Sequence, residues 1–333
     1  MLPRDPLVDS FGRPQSYLRV SVTDRCNFSC IYCEPPEGVE WYPKDRILTF
    51  EELARVVRLY AEMGVDKVRI TGGEPLVRRG IVEFIRMVKA IPGIRDISMT
   101  TNASLLDEMA GEIRAAGVQR LNISMDSLRA DRFAQIRRRG NLSDVLSGLD
   151  RALAVGFPVK LNVVVLRGRN TDEVLDFVKF GIENHLEVRF IEFMPLCGSG
   201  WDPQYFEPIR EVRERVQESY SMTPLPAEPG RVATEYRLDD HDLDIGFIAS
   251  LSEPFCSTCN RVRLTAAGRI RPCLFWNIEL DLLALIRSGA DEDTLADRIR
   301  RAVAMKPEGH LIKIDENGMP GPRKGVVMQM LGG

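Results

Sequence analysis

The sequence predicts an α/β protein, with an incomplete (β/α)6 TIM-like barrel at residues 1–220 and a C-terminal α+β extension at residues 221–333 that carries a second cluster of cysteines. Short runs rich in Val and Ile alternate with amphipathic helical stretches from residue 17 to about residue 218, which is typical of a parallel sheet. Right-handed crossovers would curl that sheet into a barrel. Six units fall short of the eight that close a full barrel, so we expect one side to stay open.

The predicted strands of the barrel follow one another at the spacing of βα units. They are "YLRVSV" (17–22), "VDKVRIT" (65–71), "IRDISMT" (94–100), "VQRLNISMD" (118–126), "VKLNVVVL" (159–166) and "LEVRFIEFM" (186–194). The intervening segments have helical periodicity, and in "LLDEMAGEIRAAG" the final Gly117 stands where a helix C-cap is expected.

The pattern changes after about residue 220. "SMTPLPAEPG" (221–230) breaks the alternation, and "RVATEYRL" (231–238) with "LDIGFIAS" (243–250) predicts paired strands. "RVRLTAAGRIRPCLF" (261–275) predicts a hairpin that turns at Ala-Gly. Helices are predicted at about 279–287 and at 291–304, before a tail rich in Gly and Pro that ends in "MLGG".

Composition excludes several classes of function. The 333 residues are 44% hydrophobic and 28% charged, with a net charge of -3 and a pI of about 5.8, so no global positive field attracts nucleic acid or anionic lipid. The first residues contain no apolar run that could serve as a signal peptide. No segment approaches the roughly 18 apolar residues of a membrane span. We therefore expect a cytoplasmic protein with no nucleic-acid or membrane partner.

Two sets of three cysteines are the most informative feature of the sequence. Cys26, Cys30 and Cys33 have the spacing C-x3-C-x2-C directly after the first predicted strand, where the loops of a βα barrel build the active face. Three thiolates can hold three irons of a four-iron cluster and leave the fourth iron open to a ligand. A zinc site would need a fourth Cys or His, and the three histidines of the chain are distant in sequence. Iron–sulfur ligation is favoured, with zinc or unreactive thiols as the alternatives.

The second set lies in the extension. Cys256, Cys259 and Cys273 have the spacing C-x2-C-x13-C, which lacks the second C-x2-C of a zinc ribbon and again favours a cluster with one open iron. Arg261 and Arg263 follow at positions i and i+2, so on a strand they point to one face. Beside a cluster, that face could bind a polyphosphate, because Arg offers bidentate donors to phosphate oxygens. A solvated basic strand is the alternative.

The first cysteine motif, with Tyr32 before its last Cys, resembles the signature of the radical S-adenosylmethionine superfamily. The resemblance implies a [4Fe-4S] cluster whose open iron binds the amino and carboxylate groups of S-adenosylmethionine. "TGGEP" (71–75) strengthens it, because the superfamily keeps a Gly-Gly-Glu turn after its second strand. At the matching positions of this sequence, the resemblance implies that S-adenosylmethionine is contacted by Tyr32, Gly73, Ser124 and Met194.

Across residues 7–333 the chain resembles one family, the GTP 3′,8-cyclases of molybdenum cofactor biosynthesis. The segments that carry the resemblance are "GRPQSYLRVSVTDRCNF", "RITGGEPL", "VKLNVVVLRGRN", "RFIEFMPL", the second cysteine set with "NRVRL", and a terminal Gly-Gly. It implies a lyase with two [4Fe-4S] clusters and S-adenosylmethionine. Such enzymes convert GTP to (8S)-3′,8-cyclo-7,8-dihydroguanosine 5′-triphosphate, with the purine at the open iron of the second cluster.

The resemblance also assigns GTP contacts and partners. GTP contacts fall on Arg19, Arg69, Thr100, Lys160, Arg261, Val262 and Arg263. Of these, Arg19, Arg261 and Arg263 are the candidate catalytic residues. The implied partners are the downstream cyclic pyranopterin monophosphate synthase and an electron donor such as flavodoxin or ferredoxin, and the chain is expected to be a monomer or a homodimer. The rival interpretations are a radical enzyme that matures a peptide and a zinc-binding regulatory module.

The chain departs from the family pattern at two positions beside the expected S-adenosylmethionine site. Glu34 stands in "YCEP" where family members usually have Met, and Ala103 stands in "TTNAS" where Gly is common. We expect both to alter packing or polarity without removing a ligand. Cys197 has no assigned role and is expected to be a partly buried free thiol. The terminal Gly-Gly resembles a family tail that reaches into the active site, with a flexible end as the alternative.

Overall fold

The computed structural model describes residues 4–34, 38–196, 201–310 and 312. Six consecutive parallel strands form the centre of the sheet, in the order of the sequence. They are β1 (Tyr17–Ser21), β2 (Lys67–Thr71), β3 (Asp96–Thr101), β4 (Arg120–Ser124), β5 (Val159–Val165) and β6 (Glu187–Glu192). The predicted fold class, a partial barrel of six βα units, is confirmed.

Helices follow these strands and bury their apolar faces against the sheet. They are α1 (Phe50–Glu62), α2 (Ile81–Lys89), α3 (Leu106–Ala116), α4 (Ala130–Arg137), α5 (Leu142–Ala154), α6 (Val174–Asn184) and α7 (Ile209–Gln217). Gly117 is the C-cap of α3, as predicted, with φ of 125°. Thr49 and Glu52 form a capping box that satisfies the first backbone N–H groups of α1.

The chain after residue 220 adds strands to both edges of this sheet. β7 (Met222–Pro224), β8 (Thr234–Leu238) and β9 (Leu243–Ile248) follow one another, and β9 pairs parallel with β6. At the opposite edge β10 (Arg261–Leu264) pairs parallel with β1 and is followed by β11 (Arg269–Arg271) and β12 (Leu280–Asp281). The parallel part of the sheet therefore has eight strands, two of which come from the C-terminal part. Strands from before and after residue 220 belong to the same sheet. The boundary between two domains at residue 220 therefore stays a prediction.

The local predictions for the C-terminal part are largely confirmed. β10 and β11 form the predicted hairpin, with φ of 70° at Gly268 in its turn. α9 (Glu292–Ala304) begins after the N-cap Asp291. The helix predicted at 279–287 is wrong in its first turn, because Leu280 and Asp281 pair with β11 and only α8 (Leu283–Arg287) is helical. The predicted break at 221–230 contains the short strand β7.

The sheet positions the site through the alternation of its side chains. Val159, Leu161 and Val163 of β5 are buried in the core beneath the helices, whereas Lys160 and Asn162 face the inside of the curved sheet. Among the described strands, β7 and β12 each pair with one neighbour only, so the barrel stays open as expected. Polar residues from successive strands therefore share one concave surface.

Candidate active site

A cavity of about 550 Å³ occupies the inside of the curved sheet. It is lined by most of the residues predicted from the sequence, namely Arg19, Cys26, Cys30, Tyr32, Cys33, Arg69, Gly73, Thr100, Ser124, Lys160, Met194, Arg261 and Arg263. Val262 does not line it, because its side chain points to the opposite face of β10 and lies in the core with 1% exposure. A nucleotide contact at that position would have to come from the backbone.

The first cysteine set lies in the loop that follows β1. Cys30 is buried, and its carbonyl oxygen accepts hydrogen bonds from the backbone N–H groups of Cys33 and Glu34 at 2.9 and 3.0 Å. A hydrogen bond between the thiols of Cys30 and Cys33 lowers the pKa of Cys30 and raises that of Cys33. Burial raises the pKa of Cys26 to about 12. The loop thus folds back on itself and presents all three thiols to the cavity.

A buried arginine beside this loop was not found from the sequence. Arg137, at the end of α4, is 3% exposed and donates a hydrogen bond of 3.0 Å from Nη1 to the sulfur of Cys30. Its Nη2 lies 2.8 Å from Oδ2 of Asp126, which also accepts a 2.6 Å hydrogen bond from the Tyr32 hydroxyl. The guanidinium carbon lies 5.9, 5.6 and 5.9 Å from the ring centroids of Phe28, Tyr32 and Phe133, within cation–π distance. Burial lowers the pKa of Arg137, but the charges of Asp126 and Cys30 raise it well above its usual value, so the cation is fixed.

The Gly-Gly-Glu turn after β2 packs directly on the cysteine loop. A Cβ on Gly73 would lie 2.3 Å from the carbonyl oxygen of Arg25, and one on Gly72 would lie 2.7 Å from that of Thr23. Glu74 is 1% exposed, and its carboxylate accepts hydrogen bonds from the Thr101 hydroxyl and from two backbone N–H groups. Burial raises the pKa of Glu74 to about 7. The two glycines therefore permit close approach to the chain that carries the first cysteines.

The second cysteine set lies beside β10 and β11, and its three cysteines are not among the residues that line the cavity. Two buried cations, also missed in the sequence, hold its loop. Arg13 donates to the carbonyl oxygen of Cys256 at 2.7 Å, and the ammonium of Lys306 donates to that of Cys259 at 3.0 Å. Burial raises the pKa of the Cys259 thiol, but the positive charges of Arg261 and Lys306 lower it to about 7.

Four arginines crowd the wall between the two cysteine sets. β10, β1 and β2 are neighbours, and their register places Arg263 beside Arg19 and Arg19 beside Arg69. Burial and then the charge of Arg263 hold the pKa of Arg19 well below its usual value, and burial with the charge of Arg261 lowers the pKa of Arg263 to about 10. Burial likewise lowers the pKa of Arg69. Nη2 of Arg261 is buried and has no hydrogen-bond partner among the described residues. This concentration of positive charge suits a polyanion.

Lys160 has carboxylate partners on the other side of the cavity. Its ammonium lies 2.6 Å from Glu187 and 3.7 Å from Glu235, and Arg189 contacts the same two carboxylates. Burial and then the nearby charge of Arg189 lower the pKa of Lys160. Arg189 also lines the cavity and was not found from the sequence. A phosphate bound at Lys160 would therefore compete with Glu187 for the ammonium group.

The two departures from the family pattern have definite places. Glu34 is 5% exposed and lies in the cysteine loop. Ala103 is fully buried with φ of 65°, the left-handed region that favours glycine, so the chain carries local strain where Gly is common. Cys197 and the terminal Gly-Gly lie outside the described residues.

The donor chemistry of both sets fits iron–sulfur clusters. Each set offers three thiols, with one thiol acidified by its surroundings. No three of the described His, Cys, Asp and Glu side chains are placed to share one metal ion. The first set opens on a cavity that holds buried polar atoms without partners, including Oδ1 of Asn162 and both amide atoms of Asn122, so the space beside it suits a polar ligand.

An open parallel barrel with three cysteines after its first strand defines a protein of the radical S-adenosylmethionine class. Residues 20–181 match the radical SAM superfamily. Among solved structures, the fold is similar to Streptococcus suis SuiB bound to S-adenosylmethionine, with a TM-score of 0.62, 16% identity and coverage of 86% of this chain and 68% of that one. It is also similar to native anSMEcpe with bound AdoMet, with a TM-score of 0.62, 15% identity and coverage of 88% and 81%.

The chain belongs to the GTP 3′,8-cyclase family. It is 43% identical over 327 residues to the GTP 3′,8-cyclase of Moorella thermoacetica, covering 98% of this chain and 99% of that protein. It is 48% identical over 308 residues to the one of Pelotomaculum thermopropionicum, covering 91% and 94%. Drosophila melanogaster molybdenum cofactor biosynthesis protein 1 is 43% identical over 310 residues, covering 92% of this chain and 54% of that protein. Residues 186–312 match the family domain described as Molybdenum Cofactor Synthesis C.

Proposed function

We propose that this chain is a GTP 3′,8-cyclase that converts GTP to (8S)-3′,8-cyclo-7,8-dihydroguanosine 5′-triphosphate, the first step of molybdenum cofactor biosynthesis. One observation carries the proposal beyond family membership: a single cavity extends from the first cysteine set to a wall of buried arginines beside the second. An enzyme that brings a radical source close to a nucleoside triphosphate needs a cavity that binds the radical source at one end and the triphosphate at the other.

Two [4Fe-4S] clusters and S-adenosylmethionine are the cofactors. Cys26, Cys30 and Cys33 would hold the first cluster, and Cys256, Cys259 and Cys273 would hold the second. When bound, the first cluster and S-adenosylmethionine would together supply a one-electron reduction and the radical needed to remove hydrogen from the ribose 3′ carbon of GTP.

The residues around the first set position S-adenosylmethionine. Gly73, Ser124 and Met194 line the cavity from three separate elements. Tyr32 is held by its hydrogen bond to Asp126, which fixes the aromatic ring next to Cys33. The buried Arg137–Asp126 pair supports the cysteine loop at two points, because Arg137 donates to the sulfur of Cys30 and Asp126 accepts from the Tyr32 hydroxyl.

The arginine wall binds the triphosphate. GTP carries about four negative charges, and the lowered pKa values of Arg19, Arg69 and Arg263 reflect burial together with mutual repulsion. Phosphate oxygens between these guanidinium groups would relieve that repulsion and accept bidentate hydrogen bonds. Arg261 and Arg263 point to one face of β10 and both line the cavity, so they can donate to the same ligand.

The test is a turnover assay. The reconstituted and reduced protein is incubated without oxygen with S-adenosylmethionine, with and without GTP, and deoxyadenosine and the cyclised nucleotide are measured. We expect both products, and we expect deoxyadenosine to depend on GTP. Formation of deoxyadenosine at the same rate without GTP would contradict the proposal.

Several finer points complete the proposal. Flavodoxin or ferredoxin would supply electrons, since the reaction needs a strong one-electron reductant, and cyclic pyranopterin monophosphate synthase would take up the product. A cytoplasmic location is supported by the need to keep six clustered cysteines reduced, and the chain would act as a monomer or homodimer. None of the described helices has the length and apolar character that spanning a membrane requires.

A further inference from the structure

Asn122 is a buried polar side chain whose amide is not satisfied by the protein. It lies on β4, is 1% exposed, and neither Oδ1 nor Nδ2 has a hydrogen-bond partner among the described residues. Leaving both ends of a buried amide unpaired costs folding free energy, so such a group is expected to pair with something that binds there. Asn122 lines the cavity of the proposed active site.

Two neighbours share this property. Thr100 is the register partner of Asn122 on β3, and its buried Oγ1 has no hydrogen-bond partner among the residues described. Asn162, on β5, has a buried Oδ1 that likewise lacks a hydrogen-bond partner among the described residues. Both residues line the cavity. Three adjacent strands thus present an uncharged polar tier, defined here as Thr100, Asn122 and Asn162, toward the same space.

The position of this tier identifies the part of the ligand that it faces. The register places Thr100 and Asn122 level with Lys160, and Asn162 one step further along, level with Ser124. On β4 itself, Asn122 stands between Arg120 and Ser124, which both line the cavity. Side chains two residues apart on a strand share a face and are separated by roughly 6–7 Å. Asn122 therefore lies beside Lys160 and between the cation Arg120 and Ser124, a residue expected to contact S-adenosylmethionine.

We infer that Asn122 binds the ribose hydroxyl groups of the nucleotide substrate and so positions the sugar for hydrogen removal. The inference rests on the proposed function, since it takes GTP as the ligand. A neutral amide offers one acceptor and two donors, and a ribose hydroxyl both donates and accepts. The phosphates belong to the arginine wall and the purine to the second cluster, which leaves the sugar for this tier. Asn122 acts as a positioning residue through its contact with the sugar.

The first experiment uses the unaltered protein. Binding of GTP, 2′-deoxyGTP and 3′-deoxyGTP to the reconstituted protein is measured by anaerobic equilibrium dialysis without reductant, so that no turnover occurs. We expect at least one deoxy nucleotide to bind about tenfold more weakly than GTP. Equal binding of all three would overturn the inference and leave the proposed function intact. If no nucleotide binds, the proposed function fails and the inference fails with it.

The second experiment replaces Asn122 with a side chain of similar size that has no polar atoms. Asn122→Leu should bind GTP about tenfold more weakly and should lose the discrimination against the deoxy nucleotide. It should also raise the melting temperature of the nucleotide-free protein, because an unpaired buried amide is replaced by an apolar group. A purely structural asparagine would lower the melting temperature when replaced. A lowered melting temperature together with unchanged GTP affinity would overturn the inference.

Asn170 provides the matched control. It is 2% exposed, but its amide donates to the carbonyl oxygens of Asp126 and Val164, and its Oδ1 accepts from the N–H of Leu166. Asn170→Leu removes these hydrogen bonds and should lower the melting temperature. A melting temperature that rises in Asn122→Leu and falls in Asn170→Leu would show that, of the two, Asn122 binds a ligand and Asn170 stabilises the fold. A change of the same sign in both variants would contradict the inference.

Discussion

The two cysteine sets are surrounded by positive charge that is used in different ways. At the first set, Arg137 forms an ion pair with Asp126 and is surrounded by three aromatic rings, so its positive charge is already neutralised and stabilises the cysteine loop. At the second set, Arg261 and Arg263 face the cavity, and Nη2 of Arg261 has no hydrogen-bond partner among the described residues. Both loops are held by buried cations, since Arg13 and Lys306 donate to carbonyl oxygens of the second loop as Arg137 donates to a sulfur of the first. The comparison teaches that the second set differs by having further cations beside it that face the cavity and are available to a substrate.

The largest effects should come from the thiols themselves. Cys26→Ser and Cys256→Ser should each lose about half of the iron, because each removes one ligand of a different cluster. Both variants should fail to form the cyclised product. Iron is measured after anaerobic reconstitution, and unchanged iron in Cys256→Ser would refute a second cluster.

The arginines beside the second set should matter for turnover and not for cluster assembly. Arg261→Ala and Arg263→Ala should keep both clusters and abolish the cyclised product, because the triphosphate loses its donors. The control is Arg301→Ala, whose side chain is 70% exposed on α9 and, among the described residues, forms an ion pair with Asp297 alone. Normal turnover by either cavity variant would show that the arginine is not needed at that position.

The arginine beside the first set should matter for stability. Arg137→Met leaves Asp126, which is 1% exposed, as a buried carboxylate without its cation. Removing one partner of a buried pair costs about 3–5 kcal/mol. Arg86→Met is the control, since Arg86 and Glu83 form an exposed pair on α2. The free energy of unfolding is compared under anaerobic conditions, and a similar small loss in both variants would contradict the contrast between the two sets.

A smaller effect should follow from the turn that packs on the first set. Gly73→Ala places a Cβ 2.3 Å from the carbonyl oxygen of Arg25 and should destabilise the protein by about 1–3 kcal/mol. Gly111→Ala, in α3, has no atom within 4 Å of the added Cβ and should be neutral or slightly stabilising. Iron loss in Gly73→Ala should be confined to the first cluster, which spectroscopy of the remaining cluster can establish. Equal stability and equal iron content of the two variants would show that the close approach of Gly73 to Arg25 does not require a glycine.

The barrel could be predicted from sequence because each βα unit is local, with β-branched strand residues followed by helical periodicity. The pairing of β9 with β6 and of β10 with β1 could not, since strand neighbours distant in the chain leave no periodic signal. The same holds for the first turn of the helix predicted at 279–287, where pairing with β11 overrides local propensity.

The site shows the same division between local and distant information. The cysteines and the Gly-Gly-Glu turn have fixed spacing and were predicted. Arg137, Arg13 and Lys306 resemble ordinary surface charges in the sequence, and only the fold buries them beside cysteines. Asn122 did leave a signal, an asparagine between the two apolar residues of the strand "RLNIS", although its unpaired amide is visible only in the structure.

The central claim is that two separate sets of thiols each hold a four-iron cluster. It is tested most directly by iron and acid-labile sulfide analysis of the protein after reconstitution without oxygen, with zinc measured in the same samples. The account predicts about eight irons and about eight sulfides per chain, with little zinc. About four irons, or a colourless protein that contains zinc, would contradict it.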